Sequence, residues 1–583
     1  MARERHRLRQ PVSHDTPWIV LTGGIVVLLA VFLMIWAGAQ VNESLRRLDP
    51  VTAIFEVVSG SVPMTFLQGL ITIGGIAVLA TVLGLIVTLA LRQNVGGTRV
   101  DYKARVMASV KDAEELTERS VRAKAESLGA IGAGVGSPLG THLPSNQPIY
   151  GNWEAVQVWL MGPRAGKTSC VCIPQILETK GPVVATSNKV DLTDFTRGPR
   201  SELGVCWVQD PQQIIKEEPT WWWNPLSYVR DKETAEKLAE VFISSSTDAG
   251  ARQDAYFGSA ARGLLVQLFL AAALDKRPIT DVYAWVFDPD NRRTSDPAVI
   301  LAQHGQMDMA IALEGTQQLT PKQRDGIFGT AQPWVSVLGS DKVRLWITDP
   351  SGRRPHFDPE KFATSTDTLY LISMEGGGTA RAITGALTMA VLQAAERVSS
   401  RHANGRLPLP MSVVLDEVAN VCRWRELPDV YSHYGSRGII LAAFFQTWDQ
   451  GVEAFGEHGM RKLWGAANIR GVGRGLADDK ALPMISNLIG PYDKVKRTES
   501  WQRASRSVST AVDRSEPIFT VADLGALPSG RAIILSSGVP ALLMRLEHFS
   551  AKPYADKIKS SNEYYAGLRG KRHAELQKEG RSV

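Results

Sequence analysis

Gly166, Lys167 and Thr168 stand in a row near the end of the stretch WLMGPRAGKTSC at residues 159–170. That order is the tail of a phosphate-binding loop, G-x-x-x-x-G-K-[ST]. Such a loop turns backbone N–H groups toward phosphate oxygens, brings an ammonium to the β and γ oxygens, and offers a hydroxyl to magnesium. The usual spacing calls for a glycine at 161. Met161 stands there, and the glycine comes one place later, at Gly162. Gly162-Pro163 can reverse the chain one residue late. The nucleotide cradle is therefore assigned to Gly162, Pro163, Arg164, Ala165, Gly166, Lys167, Thr168 and Ser169, with ATP and Mg2+ as the cofactors.

A second motif lies about 250 residues on. The stretch MSVVLDE (411–417) ends an apolar run with Asp416 and Glu417. This is the Walker B form, in which the aspartate supports the metal beside Thr168 and the glutamate polarises the attacking water. Gln446 ends another apolar run, GIILAAFFQ, where a polar group beside the Walker B strand can sense a γ-phosphate. Lys167, Glu417 and Gln446 are the expected catalytic residues, and Thr168 and Asp416 the metal-holding pair. Lys189 and Asp191, in SNKVDL, follow a further apolar run and form a second tier.

Side chains that come from distant parts of the chain need a scaffold. Short apolar runs alternate with helical stretches at 182–187, 204–209, 368–373, 412–417, 438–446, 468–475 and 531–537. Several are apolar on both faces, as a buried parallel sheet requires. The first strand is expected in AVQVWLM. From about 227 to 345 the pattern turns helical, with KETAEKLAEVFISSS and YFGSAARGLLVQLFLAAALD the clearest amphipathic pieces. Ahead of the α/β part, residues 101–128 read as juxtamembrane helices, and GAIGAGVGSPLG reads as a glycine-rich linker. Residues 551–583 are polar and basic. The three tryptophans of PTWWWNPL suit a domain junction better than base stacking.

The first hundred residues differ in kind. Residues 16–42 and 57–91 carry no charge, and each run exceeds the roughly 20 helical residues that cross a bilayer. Arginines at 3, 5, 7 and 9 precede the first run, and Arg92, Arg99, Lys103 and Arg105 follow the second. The positive-inside rule then places both termini in the cytoplasm. The 583-residue chain has a net charge of +6, compatible with an anionic partner but not diagnostic of one. Its four cysteines lack paired metal spacing and suit reduced thiols.

Taken in order, GPRAGKTS, VVATSNKVDL, WNPLS, VVLDEVAN, SRGIILAAFFQ and WGAANIRGVGRG resemble the TraG/TraD-like coupling proteins of type IV secretion. The likeness runs over nearly the whole chain. It implies a membrane-anchored α/β protein: two N-terminal transmembrane helices, and a RecA-like P-loop ATPase domain with an inserted all-α domain. On this chain the parts would be a membrane anchor at 1–100 with spans at about 18–39 and 66–91, and juxtamembrane helices and linker at 101–150. The nucleotide-binding domain would occupy 151–226 and 346–550, the helical insertion 227–345, and a basic tail 551–583. The resemblance further implies an inner-membrane, multi-pass homo-hexamer that passes relaxase-bound single-stranded DNA to a type IV secretion channel. Many relatives carry an arginine finger where Gly435 stands here, so Arg437 is the expected replacement and Arg381 an alternative. Two other readings stay open: a coupling ATPase for secreted proteins, and a non-hydrolysing membrane scaffold with a degenerate nucleotide site.

Overall fold

A computed structural model describes residues 30–41, 45–63, 65–81 (apart from 68, 72, 76 and 79), 97–246, 254–290, 296–373, 378–421, 424–502 and 505–578. The chain forms two compact units, one of residues 1–99 with 492–516, the other of residues 100–491 with 517–583.

The larger unit is built on an eleven-stranded mixed sheet. Its strands are β1 (Ser137–His142), β2 (Pro148–Gly151), β3 (Gln157–Leu160), β4 (Val183–Ser187), β5 (Cys206–Gln209), β6 (Thr368–Ile372), β7 (Met411–Leu415), β8 (Ile439–Phe445), β9 (Ile469–Val472), β12 (Arg531–Ser536) and β13 (Leu542–Arg545), while β10 (Pro491–Gln502) and β11 (Ser505–Pro517) pair separately. The order is β2-β1-β13-β12-β9-β3-β8-β7-β4-β6-β5. From β9 to β5 every pairing is parallel. The other edge is antiparallel. Every residue of β3, β4, β6, β7 and β8 is buried, which is why these strands read as unbroken apolar runs rather than alternating ones.

The helices that matter below are α1 (Ile173–Glu178), α2 (Asp191–Ser201), α3 (Lys232–Ser246), α4 (Ala255–Leu274), α5 (Pro321–Val335), α6 (Gly378–Ser400), α7 (Leu427–Ser436), α8 (Trp448–Ala466) and α9 (Ala555–Lys578). Between β5 and β6 the chain is mainly helical, with α3, α4 and α5 packed together. The tryptophan run borders this block. Trp221 and Trp223 are buried, and Trp221 meets Trp207, Trp346 and Phe357 with ring centroids 5.2–5.7 Å apart. These rings pack a junction, as expected.

Two regions differ from the sequence reading. The supposed glycine linker runs into β1, and β2 follows it, so residues 101–150 supply a sheet edge as well as a helix at Glu118–Ser127. A bulge between Pro138 and Gly140 breaks the alternation that marks a strand, which hid β1 from pattern reading. The basic tail folds as α9 and lies along α2. There Ser561 Oγ accepts from Gly198 N at 2.9 Å, and Arg569 Nη1 donates to Asp194 Oδ1 at 2.6 Å.

In the smaller unit, most of both expected membrane spans lies outside the described residues. What is described includes an apolar helix at Ala30–Ala39, whose Met34 sulfur lies 3.0 Å from where a Cβ on Gly75 would sit. Phe66, Leu70 and Ile73 are exposed. Among the described residues, α4 alone is long and apolar enough to cross a membrane, and half of its apolar window is buried inside the protein. It is a core helix of the helical block.

Candidate nucleotide site

Four adjacent parallel strands, β3-β8-β7-β4, end side by side. The register places Leu160 beside Phe445, Leu415 beside Ala443, and Thr186 beside Leu415. The next residues along each strand are therefore thrown together at one edge: the 161–168 loop after β3, Gln446 after β8, Asp416 and Glu417 after β7, and Asn188 after β4. Ligands of open α/β sheets bind at this carboxyl edge.

The loop is stitched to its neighbours. Met161 N donates to Phe445 O at 2.9 Å, Gly162 N to Arg474 O at 3.0 Å, and Gly473 N to Leu160 O at 2.8 Å. Met161 is fully buried beneath Gly473, where a Cβ would come within 2.7 Å of its side chain. Position 161 therefore still belongs to the core. Gly162 is the residue that must lack a side chain, since a Cβ there would lie 2.0 Å from Gly475 O. The displaced glycine answers a close backbone approach, not a reversal. The left-handed turns come later, at Arg164 (φ 56°) and Gly166 (φ 87°). The following helix opens with a π turn over Thr168–Cys172, in which Ile173 N bonds Thr168 O. Pro174, with no N–H to give, follows in α1.

Asp416 and Glu417 are both buried, as is Lys167. Lys167 Nζ lies 2.9 Å from Asp416 Oδ1 and 3.2 Å from Glu417 Oε1. Thr168 Oγ1 donates to Asp416 Oδ2 at 3.1 Å. Gln446 Nε2 donates to Glu417 Oε1 at 2.7 Å, and Asn188 Nδ2 donates to Glu417 Oε2. Burial opposes the Lys167 ammonium, but Asp416 and then Glu417 outweigh it, so its pKa is raised and the lysine stays charged. Burial pushes the Asp416 carboxyl up against the pull of Lys167, with Glu417 adding to the rise. Two buried carboxylates share one ammonium, a balance that a further cation would relieve.

The donor set fits magnesium. A hydroxyl and a carboxylate converge as hard oxygen donors, and magnesium ordinarily takes few protein ligands, leaving the rest to phosphate and water.

Residues 162–169, Asp416, Glu417 and Gln446 line one cavity of 460 Å³, joined by Asn188, Lys189 and Asp191. The volume lies within the roughly 300–1,000 Å³ typical of ligand pockets. Arg437 and Arg381 do not line it. Arg437 ends α7, where its guanidinium donates to Gly405 O at 3.4 Å and to His433 Nε2 at 3.4 Å. Gly435 has no room for an arginine, because a Cβ there would lie 2.2 Å from Glu154 O. Sequence reasoning missed Asn188. It lies inside the quoted VVATSNKVDL stretch, but an asparagine after a strand carries no mark of its role until β4 is known to lie beside β7.

Residues 410–529 match a family described as the TraM recognition site of TraD and TraG, and this span contains Asp416, Glu417 and Gln446. Comparison with curated proteins gives no match. Among solved structures, the unbound bacterial conjugative coupling protein TrwBdeltaN70 is 15% identical over 70% of this chain and 88% of its own, with a TM-score of 0.49. The plasmid coupling protein TrwB in complex with ADP and Mg2+ is 15% identical over 70% and 90%, also at 0.49. VirB4 of Thermoanaerobacter pseudethanolicus is 14% identical over 73% and 99%, at 0.44.

Proposed function

From a chain that resembles the TraG/TraD-like coupling proteins, a likeness borne out over residues 410–529, we infer a membrane-anchored ATPase that moves DNA toward a type IV secretion channel. One observation carries the reading. Lys167, Thr168, Asp416, Glu417 and Gln446 meet around one cavity at the carboxyl ends of adjacent parallel strands.

When a triphosphate enters, Lys167 exchanges its two carboxylates for phosphate oxygens. Thr168 and Asp416 hold the magnesium ion, which when bound neutralises charge on the phosphates. Glu417 orients a water and takes its proton as the water oxygen bonds to the γ-phosphorus and the bridging β–γ bond breaks. Gln446 reports the γ-phosphate to β8. Arg437 lies outside its own cavity, so as an arginine finger it would serve a neighbouring subunit of a homo-hexamer.

The remaining parts are assigned with the same reading. Residues 1–100 anchor the chain in the inner membrane as two spans with both termini cytoplasmic, supported by the uncharged runs and by exposed Phe66, Leu70 and Ile73. The motor occupies residues 137–226, 346–491 and 517–550, whose strands share the eleven-stranded sheet, rather than 151–226 and 346–550; the helical insertion at 227–345 selects cargo. The partners are secretion-channel components, a relaxase–DNA complex and, by the description of the matching family, a TraM-like protein.

The test is ATP turnover by the detergent-solubilised full chain, with and without single-stranded DNA, at low and moderate salt. Stimulation that fades as salt rises, through counterion release from DNA, and that vanishes in Lys167→Ala is expected. Turnover indifferent to DNA would move the cargo to protein. Absence of nucleotide binding by the unaltered chain would leave a scaffold.

A further inference from the structure

We propose that the carboxyl-terminal helix α9 is a splint that completes α2 and so sets one wall of the nucleotide cavity, with Ser561 and Arg569 as positioning residues; the proposal rests on the nucleotide-site reading above. In an unbroken α-helix the N–H of Gly198 would pair with the carbonyl of Asp194, four residues back. Here the Ser561 hydroxyl bridges the two: its Oγ accepts from Gly198 N at 2.9 Å and donates to Asp194 O. The next residue, Pro199, has no N–H to offer Phe195 O. Two consecutive rungs of α2 are therefore altered, one by a hydroxyl from another helix and one by a proline. Both are places where a helix changes course. Position 198 suits the insertion, because a Cβ there would lie 2.7 Å from Ser561 Oγ.

The altered rungs divide α2. Ahead of them, Asp191, Leu192 and Phe195 line the nucleotide cavity. The same half is held from the carboxyl-terminal side at several points. Arg569 Nη1 donates to Asp194 Oδ1 at 2.6 Å, and Asp194 is buried. The Arg197 guanidinium lies 4.6 Å from the centre of the Tyr565 ring. Just before α9, the ring centroids of Phe549 and Phe195 lie 5.2 Å apart, and Tyr554 Oη donates to Glu178 Oε1 at 3.1 Å, at the end of α1. The helix α1 continues from the turn that carries Thr168, and its Ile173 lines the cavity. One stretch of chain, 549–569, thus holds both helices that border the cavity.

A wall held in this way shifts when its splint is lost. Without Ser561 Oγ, Gly198 N can close directly onto Asp194 O. The helix then keeps its hydrogen bonds but changes its course, and Leu192 and Phe195 change their place in the cavity. No residue of 549–569 lines the cavity itself, so the effect falls on binding rather than on the chemical step. Linkage supplies the converse: a nucleotide that favours the splinted setting tightens α9 by the same factor by which docked α9 tightens the nucleotide.

ATP affinity, KM and kcat are measured with Mg2+ on the full chain, unaltered and as Ser561→Ala, Arg569→Ala, Arg569→Lys and Lys557→Ala, beside hydrogen exchange along 555–572 with and without ATP. Ser561→Ala and Arg569→Ala should each weaken ATP binding and raise KM by roughly three- to tenfold, with kcat within about twofold, the mark of lost uniform binding. Arg569→Lys, which keeps a cation for Asp194, should recover most of the affinity. Lys557 Nζ pairs with Glu202 Oε2 at 2.6 Å, past the altered rungs, so Lys557→Ala should bind ATP as the unaltered chain does. In the unaltered chain ATP should slow exchange in α9. If Ser561→Ala and Arg569→Ala both bind ATP like the unaltered chain, the splint is wrong. Should both variants fail to fold, exchange in the unaltered chain decides: slowing by ATP supports the splint, and no change overturns it. If the unaltered chain binds no ATP, the nucleotide-site reading falls and takes the splint with it.

Discussion

Replacing Gly162 by alanine tests why the phosphate loop starts one residue late. The new Cβ would lie 2.0 Å from Gly475 O, and carbon does not approach carbonyl oxygen closer than 3.0 Å, so the two backbones must part by 3.0 − 2.0 = 1.0 Å. Both sides resist. Gly162 N is bonded to Arg474 O at 3.0 Å, and the preceding Met161 N is bonded to Phe445 O at 2.9 Å inside the sheet. Forced overpacking of this kind costs about 1–3 kcal/mol. The strain falls on the loop proposed to present N–H groups to phosphate, so nucleotide affinity should drop by roughly tenfold to a hundredfold, with a smaller loss of thermal stability. Gly465→Ala is the control: it lies in α8, and nothing stands within 4 Å of the new methyl. That change should be neutral, or stabilising by up to about 1 kcal/mol. Titration of ATP into each purified variant, beside a denaturant melt, reads both numbers. If Gly162→Ala binds ATP and melts like the unaltered chain, the close approach is not what places the glycine.

Further outcomes follow from buried and clustered charges. Arg200 is fully buried in α2, donating to Thr368 Oγ1 at 2.6 Å, to Gly181 O and Thr366 O at 2.9 Å each, and to Thr179 O. Arg200→Ala strands those carbonyls and should cost about 3–5 kcal/mol in a chemical melt; a loss under about 1 kcal/mol would refute this. Glu360 meets Arg401 at 2.8 Å, Arg230 at 2.9 Å and Arg397 at 3.2 Å. Its hydrogen bond to Arg401 leads the causes that lower its pKa from 4.5 to about 2, with burial opposing. A depressed carboxylate contributes stability that is complete above its ordinary pKa and lost as pH falls through the folded one, here between about 4.5 and 2. The carboxylate is part-exposed and screened, so Glu360→Gln should cost only about 1 kcal/mol at pH 7. That cost should shrink as pH falls toward 3, and a penalty independent of pH would exclude the charge as its source.

What the chain order determined by itself was substantial. Runs apolar on both faces, such as VVATS, MSVVL and IILAAFF, have no stable place except a covered parallel sheet, so the α/β class was legible from composition along the strand. Lys167 and Thr168 were legible from the Gly166-Lys167-Thr168 loop pattern, and Asp416, Glu417 and Gln446 because each follows such a run, and a strand end is where a polar side chain can leave the core. Less visible were β1 and β2, whose bulge erases the two-residue rhythm, and α9, whose mixed charge reads as a solvated tail until α2 is present to receive Ser561 and Arg569.

Strand order was decided only in three dimensions. Nothing in the linear text puts β4 beside β7, because residues 183 and 412 are brought together by packing and hydrogen bonding rather than by any local signal. That adjacency alone brings Asn188 to Glu417. The same holds for Gly162 and Gly435, whose missing side chains are demanded by the carbonyls of Gly475 and Glu154. Local propensity governs which segments become strands and helices, whereas side-by-side placement depends on excluded volume between segments far apart in the chain. The sequence therefore named the polar groups that meet at the cavity, and the folded sheet decided which neighbours lie against them.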